Sequence, residues 1–176
     1  MNRFRLAAPI GAAVATLLAV CHATAADFAA SSVTFAPKLE AKVQSQYGAQ
    51  EVPVLRSQVI DSVSAALKAA GKCTLTVEVV MQQVAPSHPT IKQQLNDPSL
   101  DPFRTRLPNA GAALIGHLRD AEGRELATVK YEHFIDEDPL LASPARDPWS
   151  DARAAIGQFA DRVASACEHH SGGHPT

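Results

Sequence analysis

The chain has 176 residues, 46% of them hydrophobic and 5% aromatic, with 16 basic against 18 acidic side chains. That length suits one domain around one core. The slightly acidic balance excludes the dense positive charge by which nucleic acid and anionic membranes are recognised, so neither is an expected partner.

The N-terminal segment has the organisation of an export signal. Arg3 and Arg5 precede an apolar run from Leu6 to Val20, and Ala23-Thr24-Ala25 puts small residues where a signal peptidase reads. The run is about fifteen residues, below the roughly eighteen to twenty needed to span a bilayer. Residues 1–25 are therefore expected to be cleaved, leaving a periplasmic or secreted protein without a transmembrane segment. Leu18-Ala19-Val20-Cys21 also approximates a lipobox, which would lipidate Cys21 and anchor the chain, although Val20 is bulky for that motif. Loss of Arg3 and Arg5 leaves 14 basic and 18 acidic side chains, a formal charge of 14 − 18 = −4.

Ser32 to Leu39 alternates Val33 and Phe35 with Ser32 and Thr34, which predicts a first strand confined by Pro37 to an edge or an end. After Tyr47-Gly48, a first-turn Pro53 leads into Leu55, Val59, Val63, Ala66, Leu67 and Ala70 at three-and-four spacing. This predicts an amphipathic helix closed by Gly71. From Cys73 to Val84 the period becomes two, with Leu75, Val77, Val79 and Met81 on one face and Thr74, Thr76, Glu78, Val80 and Gln82 on the other. A proline-rich stretch follows from Ala85 to Asn109, too broken for regular structure and longer than ordinary connections.

Ala112–Arg119 and Arg124–Ile135 read as a hairpin around Asp120-Ala121-Glu122-Gly123, with the glycine supplying a positive φ. Pairing Arg119 with Arg124 puts Leu114 opposite Val129 and Leu118 opposite Glu125. Leu114, Leu118, Val129 and Tyr131 then form one buried stripe. Asp147-Pro148 opens a second amphipathic helix carrying Trp149, Ala152, Ile156, Phe159, Val163 and Ala166 at helical spacing, before a disordered tail from Glu168 to Thr176.

One apolar stripe per helix and one apolar face per strand are satisfied together if both helices pack on one side of the sheet. The expected fold is a two-layer α/β (α+β) sandwich, a single domain over residues 32–167. Its sheet is mostly antiparallel with about four strands, in the order β-α-β-β-β-α. If the last three strands form a meander, the first helix ends and the last helix finishes at the same end as the start of the Cys73 strand. Once Cys21 is removed, Cys73 and Cys167 remain in an oxidising compartment, and this topology brings them together as a disulfide; two separate buried thiols are the other reading. The same walk sends the 85–109 loop, the 136–147 loop and the segment before the first helix to the opposite rim.

Helix, strand, long loop, hairpin and closing helix, with Gly111-Ala112-Ala113-Leu114 opening a strand, Gly123 in the turn and Trp149-Ser150-Asp151-Ala152 opening the last helix, resemble exported proteobacterial domains of the TolB amino-terminal and curli-secretion lipoprotein type. The resemblance covers residues 32–167. It implies envelope binding or assembly and carries over no catalytic residue.

No G-x-S-x-G elbow, Walker A loop, H-E-x-x-H helix or C-x-x-C pair occurs in the sequence. His117-x-x-Asp120 and His133-x-x-Asp136 place base and acid three apart on a strand, on opposite faces. The rim candidates are His88, Asp97, Asp101, Arg104 and Arg106 in the long loop with His133, Asp136 and Asp138 across it. Arg104 and Arg106 either clamp an acidic ligand or pair with Asp136 to Asp138. His133 with Asp136, Glu137 and Asp138 is a possible divalent-cation group, read otherwise as a solvated acidic loop. His169, His170 and His174 with Glu168 form a possible weak copper, nickel or zinc site, read otherwise as a solubilising tail. Trp149 is expected to anchor the helix start and Tyr131 to belong to the core. The expected function is a non-enzymatic envelope protein whose rim contacts another protein or a cell-wall component. An auxiliary transition-metal binder and a hydrolase with an unrecognised rim site are the alternatives.

Overall fold

The computed structural model describes residues 30–71, 73–136 and 147–171. The expected cleavage site, Cys21, Glu137, Asp138 and His174 lie outside the described residues.

The elements run β1 (Ala30–Phe35), α1 (Leu39–Gln46), α2 (Glu51–Ala70), β2 (Thr76–Ala85), α3 (Ile91–Asn96), β3 (Ala110–Arg119), β4 (Glu125–Ile135) and α4 (Ser150–Ser171). The strands form one sheet in the order β1-β2-β3-β4, with β1 parallel to β2 and the other pairs antiparallel. Helices α2 and α4 pack together and on the sheet, burying Leu55, Val59, Val63 and Leu67 with Ile156, Phe159 and Val163 against Val77, Val79, Met81, Leu114 and Leu118. This is the two-layer sandwich that the periodicities predict.

Two helices escape the sequence reading. Strand β1 ends at Phe35, because Pro37 stops it and Lys38 turns the chain through a left-handed φ of 71° into α1. Helix α1 buries only Leu39 and Val43, an i,i+4 pair too sparse to announce a helix. The proline-rich stretch is not wholly irregular either. Thr90 and Gln93 form a reciprocal capping box that starts α3.

The hairpin is offset by two residues from the expected pairing: Leu114 faces Tyr131 and Leu118 faces Ala127. Arg119 pairs with Glu125 rather than Arg124, and an irregularity between Leu118 and Arg119 adds the second step. An even offset preserves which side chains face the helices, so Leu114 and Leu118 are buried while Val129 and Tyr131 pack at the core margin. Gly123 holds φ 81° in the turn, and Gly71 caps α2 at φ 75°. At one end of the sandwich Cys73 and Cys167 are disulfide-bonded, with Cα atoms 5.5 Å apart.

Candidate binding rim

Opposite the disulfide, the chain segments that enter and leave the sheet are tied together by polar contacts. Ser87 is central: its N–H donates to the Pro148 carbonyl at 2.7 Å, its hydroxyl lies 2.8 Å from that of Ser150, and its Oγ accepts from the Asp151 N–H at 3.2 Å. A residue of the long loop thus satisfies a backbone donor in the first turn of α4. Arg106 reinforces the same junction through a largely buried 2.8 Å ion pair with Asp151. Asp147 accepts from the Trp149 N–H at 3.0 Å, as the expected capping acid.

Trp149 anchors α4, fully buried, with its ring edge-on to Tyr47 at 5.5 Å and its indole Nε1 donating to Glu51 Oε2 at 2.7 Å. Burial holds the Tyr47 hydroxyl above its ordinary pKa. The Thr90 hydroxyl donates to the Tyr47 carbonyl at 2.8 Å, and Lys92 Nζ donates to the Gln44 carbonyl at 3.1 Å. Helix α3 is therefore fastened to the α1–α2 turn as well as capped.

The predicted rim residues divide by what they touch. His88 is buried; its Nδ1 faces the Thr105 carbonyl at 3.1 Å, and because a carbonyl only accepts, Nδ1 carries the proton. Its buried Nε2 has no hydrogen-bond partner among the described residues. Asp97 accepts from the Ser99 hydroxyl and N–H, which hold its carboxyl below the usual carboxylate range. Asp101 accepts from the Phe103 N–H at 2.8 Å and lies 3.7 Å from Arg104. Both acids thus accept hydrogen bonds from residues two positions on and shape the loop. Arg106 takes Asp151 as a partner, which the sequence reading had not considered. His133 is exposed and stacks on Tyr131 at 6.5 Å, and Asp136 is exposed beside it. His169 and His170 stand exposed at the end of α4. Among the described residues no group of three or more His, Cys, Asp or Glu side chains is placed to hold a metal.

What sequence reasoning missed is apolar. Ile91, Leu95 and Phe103 are 65, 78 and 65% exposed, against 43 and 39% at Val54 and Leu126, the other large exposed hydrophobics among the described residues. Ile91 and Leu95 are four apart on α3 and share a face. The Thr90-x-x-Gln93 capping signature was the available signal, since a capped helix with nothing buried must present its apolar residues outward.

Compared with known proteins, the chain matches no family model, no curated protein and no solved structure.

Proposed function

We propose that the chain is an exported, non-enzymatic module that binds a protein partner through its long-loop rim. The observation carrying this reading is the presentation of Ile91, Leu95 and Phe103 on a segment fixed from beneath. Large apolar side chains clustered in one loop are a recurrent feature of interaction surfaces. Their support is already ordered by the capping box, the Thr90 to Tyr47 hydrogen bond and the Lys92 to Gln44 hydrogen bond, so binding costs little additional loop entropy. Two polar groups beneath, Ser87 and Arg106, are engaged in structure. The Ser87 hydroxyl contacts Ser150 and Pro148, and Arg106 is paired with Asp151, which favours a scaffold over a reaction centre.

Export rests on the leader-like N-terminus and agrees with the Cys73–Cys167 bridge, since such bridges persist in oxidising compartments. The resemblance to envelope-assembly domains points the same way. A photo-crosslinking residue at Leu95, in the protein expressed in its native envelope, tests the reading. A discrete adduct is expected that Ile91→Ser and Phe103→Ser suppress and that a crosslinker at exposed Lys68, in the last turn of α2 at the disulfide end, does not give. Equal labelling from both positions would refute the rim as an interface. N-terminal sequencing of the exported protein should begin at Ala26.

A further inference from the structure

A second candidate surface lies away from the rim hydrophobics, where two shallow concavities adjoin at Gln82 and Gln83. One, of about 310 Å³, is also lined by Ala113, Ile115, Lys130 and Glu132; the other, of about 390 Å³, by Pro37, Lys38 and Lys42. The side chains of Ile115, Lys130 and Glu132 alternate with the helix-facing Leu114, Val129 and Tyr131, so they lie on the sheet face turned away from α2 and α4.

Three independent features mark the place. The β2–β3 register shifts between Met81 and Gln83, a local irregularity of the kind that re-aims side chains, and it sets two carboxamides side by side. Lys38 holds φ 71°, a conformation that a residue with a Cβ keeps only when its surroundings impose it. The turn carrying it is tied to β2 by the Ala36 N–H, which donates to the Met81 carbonyl at 2.8 Å. Finally, Lys38, Lys42 and Lys130 line the two concavities and, like the other described lysines, enter no ion pair among the described residues. A chain with more acidic than basic residues thus gathers three lysines along one trough, with Glu132 as the single acid in its lining among the described residues.

We propose that this trough binds an extended acidic peptide segment laid across the strands, its carboxylates meeting Lys38 and Lys42 at one end and Lys130 at the other. From β1 to β4 are three inter-strand spacings, about 14 Å. That is about four residues of extended chain. Between the charged ends, Gln82 and Gln83 each offer the donor and acceptor that a peptide group requires. The Tyr131 ring lies on the opposite, helix-facing side of the sheet under the Arg162 guanidinium, so the trough is lined on its own face by aliphatic, amide and charged side chains. The site is separate from the rim hydrophobics.

Fluorescence anisotropy of fluorescein-labelled hexaglutamate against the disulfide-bonded chain tests the proposal, with hexaglutamine and an oligogalacturonate as comparison probes. Saturable binding of hexaglutamate alone is expected, weakened about tenfold or more in Lys42→Glu/Lys130→Glu. Those side chains are exposed, and an unchanged thermal transition will show that the variant is folded. The same variant should gain affinity for hexalysine, and Leu95→Ser should leave hexaglutamate binding intact. The proposal is overturned by absence of saturable binding, by binding that survives the double charge reversal, by preference for the galacturonate, or by loss of binding in Leu95→Ser.

Discussion

Replacing both Cys73 and Cys167 by alanine opens a covalent loop whose ends are separated by 94 positions in sequence. The chain-entropy relation assigns to a loop of that length about 4.7 kcal/mol of stability, through restriction of the unfolded chain. Both residues are wholly buried, so the alanines also remove core contacts and the figure is not offset by solvation of the new side chains. Against the roughly 5–15 kcal/mol of a whole domain this is a large fraction. With a urea slope of about 2 kcal/mol/M, the unfolding midpoint should fall by about 2 M. Equilibrium urea unfolding followed by circular dichroism, on the oxidised protein and on the double variant, measures it directly. Reduced wild-type protein should resemble the variant. A shift below about 0.5 M, or coincident curves for oxidised and reduced protein, would show that the bridge does not constrain the unfolded ensemble as reasoned.

Two glycines should differ in a defined order. A Cβ on Gly111, at φ 151°, would lie 2.0 Å from the His133 carbonyl oxygen, so Gly111→Ala must displace backbone between β3 and β4 and should cost about 3 kcal/mol or more. On Gly116 it would meet the far end of the Phe159 ring at 2.9 Å, and a yielding side chain should limit Gly116→Ala to about 1–3 kcal/mol. Thermal melts showing the reverse order would contradict this packing. Glu51→Ala strands the buried Trp149 indole N–H, an expected loss of about 1–3 kcal/mol that Glu51→Gln, which keeps an acceptor, should largely restore in denaturant unfolding. The carboxyls of Asp97, Asp120 and Glu125 are all held below their ordinary range. At Glu125 the main causes are hydrogen bonds from Thr128 and His117; at Asp120, burial opposes the shift but hydrogen bonds from Arg124 outweigh it. Their contribution to stability is therefore complete above the unfolded carboxylate range near pH 4 and is lost as pH falls through the lower folded values. Asp120→Asn should flatten the acid limb of stability against pH; an unchanged limb would remove Asp120 from that account.

By itself the sequence determined the long amphipathic helices, the alternating strand β2, the sidedness of the hairpin and the meeting of Cys73 with Cys167. Each follows from a local period, or from counting how many times the chain reverses. The even hairpin offset shows why such readings are robust: a period of two returns the same face after two steps, so Leu114 and Leu118 stay inside while their partners change. Helix α1 was hidden because two buried residues make no stripe, and α3 because the prolines flanking it masked a capping box.

Tertiary structure alone decided the partners that have no period. Arg106 met Asp151 across 45 positions, Trp149 met Glu51 across 98 positions, and His88 was taken inside by a carbonyl from its own loop. Ile91, Leu95 and Phe103 were left in solvent, and Lys130 of β4 came to line a concavity adjoining the one lined by Lys38 and Lys42. Polar and charged groups bond to whatever the packed backbone brings within about 3 Å. That proximity belongs to the arrangement of elements in space, which neighbouring residues in the chain do not encode.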